Sequence, residues 1–276
     1  MSISDLNIQT TLLDLGYNPT SNKTSIIFAN VIDGVFFGFG STIQNGLINE
    51  AKKQNLPKHF KFPYYSLVEK SIIDFLGQVG GKKILAEINA ELSRQTGITG
   101  STEDILNELS KREILQRIQD FSGHEHAIFL WKNKELRDKL LTHYFESSKG
   151  PKRAISSEEL SIPDVDWITY EEIFSDKSKS TEKNLQSIVD THEKNNSIIS
   201  TRVAGFDATQ WFKHGLTEEF LEVEKNAQQY IETNLISGIC SYDINQIPDE
   251  QTLKSFLDCH PLVLLDDPFV IYERGN

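Results

Sequence analysis

Apolar positions in the N-terminal third of the chain recur with the spacing of amphipathic helices. Three segments carry such positions: Ile43, Leu47 and Ala51; Leu67, Val68, Ile72, Phe75 and Leu76; and Ile84, Leu85, Ile88 and Leu92. Residues three and four apart share one face of a helix. Because glycine is common just beyond a helix C-terminus, we predict that Gly77 and Gly97 end the second and third helices. The pattern predicts a small all-α domain at residues 24–98.

A fourth helix is predicted within residues 99–122. The stretch Ser101-Thr-Glu-Asp104 has the form of a capping box, in which side chains at both ends satisfy backbone N–H groups of the first turn. The helix that follows is highly charged on the face opposite its apolar positions. That pattern is typical of a helix that connects two domains or forms a homodimer.

From residue 124 onward, short apolar runs alternate with amphipathic helices. Strands are predicted at 127–131, 153–156, 167–169, 198–204, 236–242, 261–265 and 269–272, and helices at 135–145, 185–192, 217–233 and 250–257. Alternating strands and helices predict a mostly parallel sheet covered on both faces. We therefore expect an α/β domain at residues 123–276, after the all-α domain and the connector.

The composition of the chain argues against three classes of protein: membrane-spanning, secreted and nucleic-acid-binding proteins. No apolar run approaches the roughly 18 residues that a membrane span needs, and the N-terminus lacks a basic segment followed by an apolar run. Two cysteines make no disulfide framework, which favours the reducing cytoplasm. Residues 123–276 hold 27 Asp and Glu against 16 Lys and Arg, and this excess argues against binding to a phosphate backbone.

Polar and aromatic side chains follow several predicted strands, at the edge where open α/β sheets bind ligands. The candidate ligand-binding residues are Ser156, Arg202, Asp207, Trp211, Tyr242 and Asp243. Polar residues also end strands that bind nothing, so an ordinary polar edge is the alternative. Glu224 falls on the apolar face of its helix, where a buried carboxylate needs a partner. Arg202 is the expected partner, although Glu224 could instead contact the ligand.

Histidines and cysteines suggest two kinds of site that we do not favour. His124, His126, Cys240, Cys259 and His260 match no standard zinc spacing, so we predict no metal and no cofactor. Cys240 could be a nucleophile with His260 as its base. Because His260 precedes its strand and Cys240 ends another, a parallel sheet would separate them. We therefore predict a structural cysteine and no catalytic residue.

Nucleotide-binding motifs are not matched. The stretch Gly77-Gln-Val-Gly-Gly-Lys-Lys83 lacks the glycine spacing of a phosphate loop, and Lys83 stands where Ser or Thr would hold magnesium. No glycine follows the first predicted strand to cradle a phosphate. The sequence therefore predicts an α/β domain without a phosphate loop.

Five stretches of the C-terminal half together resemble the MEDS domain, a sensory domain of methanogens and methylotrophs. They are His124-Glu-His-Ala-Ile-Phe-Leu130, Arg202-Val-Ala-Gly205 with Asp207 and Trp211, Glu224-Lys-Asn226, Ile239-Cys-Ser-Tyr-Asp243 and His260-Pro261. The resemblance implies a RecA- or KaiC-like three-layer domain that senses a ligand, in which Cys240 and His260 support the site. Residues 36–40 and 77–84 resemble a small helical output domain of ammonia-oxidising archaea.

Three functional hypotheses follow from the residues and the resemblance. The first is a cytoplasmic, archaeal, non-catalytic regulatory protein whose α/β domain senses an unidentified small molecule and whose helical domain relays the signal to a protein partner. The second is a hydrolase or transferase that uses Cys240 or Asp243. The third is a degenerate nucleotide-binding protein that assembles into oligomers.

Overall fold

The structure is a computed structural model that describes residues 5–20, 23–35, 65–158, 160–175, 200–267 and 269–275. The chain forms two compact units. One comprises Met1–Asn18, Leu115–Asp267 and Ile271–Asn276, and the other comprises Pro19–Ile114 and Pro268–Val270. The predicted helices around Ile43 and at 185–192, and the glycine-rich stretch 36–40, lie outside the described residues.

The described residues up to 119 form helices with one short strand, and those from 125 onward form strands interspersed with helices. The helices are α1 (Asp5–Asp14), α2 (Lys23–Val35), α3 (Tyr65–Thr96), α4 (Thr102–Gln119), α5 (Lys134–Glu146), α6 (Tyr170–Ser175), α7 (Gln210–Lys213), α8 (Thr217–Thr233) and α9 (Glu250–Asp258). The strands are β1 (Tyr17–Pro19), β2 (Glu125–Trp131), β3 (Lys152–Ser156), β4 (Asp166–Thr169), β5 (Thr201–Gly205), β6 (Ile236–Asp243), β7 (Leu262–Asp266) and β8 (Phe269–Arg274). A 3₁₀ turn, Ile244–Gln246, follows β6.

The unit that begins at Pro19 has a helical core of its own. Its buried residues are Phe28, Val31, Val68, Ile72, Leu85, Ile88, Leu92, Ile105 and Leu106. Gly77, with φ of 73°, interrupts α3, and Gly97, with φ of 70°, follows its end. Glycine populates this left-handed region without the steric cost that a Cβ atom brings. The predicted breaks at both glycines are thus confirmed.

Helix α4 begins with the predicted capping box. Asp104 N–H donates to Ser101 Oγ at 3.1 Å, and Ser101 N–H donates to Asp104 Oδ2 at 3.0 Å. These reciprocal bonds satisfy donors that the first turn of a helix leaves unpaired. The division between the two compact units falls inside this helix, between Ile114 and Leu115.

In the part of the chain that the structure describes, eight strands form a sheet in the order β1-β8-β7-β2-β6-β5-β3-β4. The pairs β2–β6, β2–β7, β5–β6, β3–β5 and β3–β4 are all parallel. The central strand β2 is buried along nearly its whole length, as expected of a strand covered on both faces. The predicted mixed α/β architecture with a largely parallel sheet is confirmed.

The edge strand β1 is a finding that the hydrophobic pattern did not predict. It has only three residues, Tyr-Asn-Pro, too few to show the alternation that identifies a strand. Its Tyr17 is fully buried, and its hydroxyl hydrogen-bonds the carbonyl oxygens of Leu257 and His260.

In the described part of the chain, no helix combines the length and the apolar character needed to cross a membrane.

Candidate functional site

A cavity of about 460 Å³ lies between α8 and the sheet. It runs along β5 and the first part of β6, as far as Cys240, and its apolar walls include Val203, Phe220, Ala227 and Ile231. We predicted a site at the carboxyl edge of the sheet. The cavity instead lies on the face of the sheet, under one helix, and is of the size and character of sites for small molecules.

The buried face of α8 carries one ionisable group among apolar residues. Phe220, Glu224 and Ile231 are the buried residues of this helix, and their spacing of four and seven is that of one helical face. Glu218 and Glu219 lie in the first turn, where carboxylates stabilise the helix dipole. Glu224 is therefore held near the centre of the helix and pointed at the sheet.

Glu224 lies within a cluster of polar side chains from β2, β6 and the segment between α9 and β7. The Tyr242 hydroxyl donates to Glu224 Oε1 at 2.7 Å. Glu224 Oε2 lies 3.3 Å from His260 Nε2, 3.7 Å from His126 Nε2 and 3.5 Å from Cys240 Sγ. The carboxylate is 1% exposed, so these groups replace its hydration.

The two histidines of the cluster are oriented by partners on their other ring nitrogen. His126 Nδ1 lies 2.9 Å from Gln228 Oε1, and His260 Nδ1 lies 2.7 Å from the carbonyl oxygen of Phe256. Their rings are 4.1 Å apart between centroids. Because a carbonyl oxygen only accepts hydrogen bonds, His260 Nδ1 carries its proton. The Nε2 atoms of both rings therefore face Glu224.

Cys240 lies on the wall of the cavity, in the middle of β6. Its Sγ is 3.5 Å from His126 Nε2. The side chain is half-buried because it faces the cavity rather than bulk water. Removal from water raises the pKa of the Cys240 thiol well above its ordinary value, and the charge of Glu224 raises it further. An activated nucleophile has a lowered pKa, so this environment favours the neutral thiol.

Burial and the neighbouring charges oppose each other at Glu224. Burial alone would raise the pKa of its carboxyl group, but His260, His126 and the Tyr242 hydroxyl lower the pKa to about 2. Burial and the proximity of His260 lower the pKa of His126 to about 3. The cluster thus stabilises an ionised carboxylate beside a neutral His126 imidazole.

Four of these side chains present metal-binding atoms to a common centre. The ligand atoms of His126, Glu224, Cys240 and His260 all lie within 4.8 Å of one another. Sequence spacing did not predict this set, because each ligand comes from a different part of the chain. Glu224, Cys240 and His260 were predicted as residues that support the site. His126 was not among the predicted site residues.

The expected separation of Cys240 from His260 is wrong. Cys240 pairs in register with Ile128, three residues before the end of β6, so it is not at the carboxyl edge. His260 precedes β7 by two residues, and β7 is separated from β6 only by β2. Both side chains therefore reach Glu224 from opposite sides of β2.

The predicted ion pair between Arg202 and Glu224 is also wrong. Arg202 donates to the carbonyl oxygen of Tyr144, to Ser147 Oγ at 2.7 Å and to the carbonyl oxygen of Gln119 at 2.9 Å. Its guanidinium lies over the Tyr144 ring, 4.7 Å from the centroid. Arg202 thus ties β5 to α5 and to the end of α4, which is a structural role.

Three other predicted ligand residues stabilise turns. Asp207 accepts hydrogen bonds from Thr209 Oγ1 and Gln210 Nε2 before α7. Asp243 accepts from the Asn245 N–H at 3.0 Å and caps the 3₁₀ turn. Ser156 Oγ accepts from the Glu158 N–H at 3.2 Å. These contacts follow the common local use of short polar side chains at turns.

All six predicted ligand residues are among the described residues, and one of them, Trp211, lies on the cavity wall. Its ring stacks on Phe220 at 4.4 Å. Tyr242 lies behind the cavity, fully buried against Phe256. Sequence reasoning missed His126, Arg153 and other wall residues. The apolar helix face around Glu224 was the one signal that pointed to the correct location.

Comparisons with known proteins do not identify this chain. A scan of models of known protein families finds no match, and a search of curated proteins finds none. Among solved structures, the cytoplasmic domain of EssC matches with a TM-score of 0.34 and 8% identity, over 68% of this chain. The chain spans 45% of that structure.

Proposed function

We propose that the α/β part of this protein is a sensory module that binds a small molecule in the cavity beneath α8. The cavity carries this proposal. Its volume of about 460 Å³ falls within the range of about 300–1,000 Å³ that small-molecule sites occupy. Apolar walls with a few polar groups, among them Cys240, Glu224 and Arg153, suit a mainly apolar ligand with one polar end.

The environment of the candidate nucleophiles supports binding over covalent catalysis. The Cys240 thiol has a raised pKa, whereas a catalytic thiol needs a lowered one. Asp243 is engaged in capping the turn after β6. A hydrolase or transferase that uses these two residues therefore has no support from their contacts.

The family resemblance supplies the rest of the proposal. A MEDS-like sensory domain would have the three-layer RecA- or KaiC-like architecture without a phosphate loop. Residues 24–98 would form an all-α output domain and residues 99–122 would couple it to residues 123–276. The helical core at Phe28, Ile72 and Ile88 is compatible with such a domain. The output would pass to a protein partner in the cytoplasm.

Native mass spectrometry of purified protein tests the binding proposal. We expect an extra mass that is present in the native spectrum and absent after denaturation. The variant Ala227→Phe fills the cavity from α8, so it should lose that mass, whereas Ala227→Ser at the same position should keep it. An extra mass that Ala227→Phe retains at full occupancy would place the ligand elsewhere and overturn the proposal.

A further inference from the structure

We propose that His126, Glu224, Cys240 and His260 together bind one divalent transition-metal ion of the zinc class. The inference does not depend on the sensory function, because the ion would bind whether or not the cavity holds a ligand. Its basis is the convergence of two imidazoles, a thiol and a carboxylate on one buried centre. These are the side-chain types that bind Zn²⁺ in proteins.

Four of the six distances between ligand atoms in the cluster match those of a tetrahedral site. Zinc–ligand bonds of about 2.0–2.3 Å place neighbouring ligand atoms roughly 3.3–3.8 Å apart in a tetrahedron. Glu224 Oε2 is 3.3 Å from His260 Nε2 and 3.7 Å from His126 Nε2. Cys240 Sγ is 3.5 Å from both Glu224 Oε2 and His126 Nε2. The other two pairs, His260 with His126 and His260 with Cys240, have ligand atoms within 4.8 Å of each other, so small side-chain rotations would complete the tetrahedron.

The orientation of the histidines is that of metal ligands. A histidine that binds a metal usually donates its other ring N–H to a carbonyl or carboxylate oxygen, which fixes the tautomer and the ring. His260 Nδ1 has the carbonyl of Phe256 as its partner, and His126 Nδ1 has Gln228 Oε1. The Gln228 amide is oriented in turn, since its Nε2 donates to Glu232 Oε1 at 2.6 Å.

An unsatisfied buried atom points independently to a ligand. His260 is 0% exposed, and its Nε2 has no hydrogen-bond partner among the described residues. It lies 3.3 Å from Glu224 Oε2 but outside hydrogen-bonding geometry. If His260 is neutral, with its proton on Nδ1, its Nε2 lone pair faces a carboxylate lone pair, and that arrangement is repulsive. A cation between the two atoms would turn this repulsion into two bonds.

A proton on His260 Nε2 is the competing explanation. It would make His260 an imidazolium paired with Glu224, and it would leave Cys240 as a neutral thiol. Metal binding would displace the protons from both groups, since metals bind neutral imidazole and thiolate. The two explanations therefore predict different states of the Cys240 sulfur, a thiolate with the ion bound and a neutral thiol without it.

The donor set also selects the class of ion. Magnesium and calcium prefer all-oxygen sites, whereas imidazole and thiolate suit zinc and its neighbours in the first transition series. His126, Glu224 and Cys240 line the cavity, so the ion would lie on the cavity wall. A small molecule with a donor atom at its polar end could reach it there.

Titration of the reduced, chelator-treated protein with Co²⁺ tests the site, because tetrahedral Co²⁺ absorbs visible light and a thiolate bond adds a near-ultraviolet charge-transfer band. We expect one equivalent to produce both signals and Zn²⁺ to displace them. Cys240→Ser should abolish the charge-transfer band, and His260→Gln should weaken binding at least tenfold.

The chain offers matched controls for both ligand types. Cys259 is buried, next to His260 in sequence, and donates to the Ser255 carbonyl oxygen, so Cys259→Ser should keep the band. His124→Gln should do the same, since His124 Nδ1 contacts the Ile231 carbonyl oxygen. The absence of a thiolate band in the wild-type protein, or a band that depends on Cys259 instead of Cys240, would overturn the proposal. The wild-type titration requires no variant to fold.

Discussion

The hydroxyl group of Tyr242 donates a hydrogen bond of 2.7 Å to Glu224 Oε1, and both side chains are almost completely removed from solvent. This bond joins the middle of α8 to β6 behind the cavity. It occupies one carboxylate oxygen and leaves the other, Oε2, facing His126, His260 and Cys240. Tyr242 therefore positions the group around which the proposed site is built.

Replacing Tyr242 by Phe should destabilise the protein by about 1.5–3 kcal/mol, the usual contribution of a hydrogen bond to a charged group. The measurement is the free energy of unfolding in urea. In a Glu224→Gln background the same replacement should cost less, because the carboxylate charge is gone. Equal costs in the two backgrounds would show that the bond to Glu224 contributes nothing specific.

Replacing Arg202 by Lys should lower stability and leave ligand binding unchanged. Arg202 donates to three carbonyl oxygens and to Ser147 Oγ from two nitrogens, and a single ammonium group cannot span these acceptors. Each buried carbonyl oxygen left without a donor costs about 1–3 kcal/mol. Urea unfolding and the affinity for an apolar probe separate the two effects. If Arg202→Lys had normal stability but no longer bound the probe, Arg202 would be a ligand-binding residue and the structural role would be wrong.

Two glycines near the cavity should respond differently to alanine. A Cβ atom on Gly238 would lie 2.9 Å from Ile231 Cδ1 and 3.3 Å from His126 Cδ2, so one of these side chains must move. We expect Gly238→Ala to cost about 1–3 kcal/mol, as overpacked cores do. On Gly205 the nearest atom is the Tyr170 hydroxyl oxygen at 3.6 Å, an ordinary contact. Thermal unfolding should rank Gly205→Ala well above Gly238→Ala in stability.

Both cysteines should react slowly with thiol reagents in the native, metal-free protein. Burial raises the pKa of Cys259 to about 11 and that of Cys240 well above its ordinary value. Since the thiolate is the reactive form, little of either residue reacts near pH 8. Labelling followed by mass spectrometry should show fast modification only in denaturant. Rapid native labelling of Cys240 would revive the enzyme hypothesis.

Much of the fold was predictable because local patterns determined it. Helix α8 was predicted at 217–233 and is found at Thr217–Thr233. The predicted helix break at Gly77 and the predicted capping box at Ser101–Asp104 were correct, because glycine conformation and helix capping depend on a few neighbouring residues. The strand β1 was missed because three residues give no periodic signal.

The site was less predictable, because it depends on contacts between distant segments. Arg202 and Val203 are adjacent in β5, so they point to opposite faces of the sheet. Only Val203 reaches the cavity. The sequence does not reveal which of the two faces of the sheet lines a cavity. Likewise, His126, Glu224, Cys240 and His260 converge only once β7, β2 and β6 lie side by side.

Titration with a neutral, apolar fluorescent probe such as 1-aminoanthracene tests the central claim most directly, because it requires no knowledge of the natural ligand. We predict saturable binding at one site in the wild-type protein. The affinity should fall at least tenfold in Ala227→Phe, which fills the cavity, and stay the same in Ala227→Ser. Equal affinity in the wild-type protein and Ala227→Phe, or no saturable binding at all, would contradict the claim that the cavity beneath α8 is a ligand site.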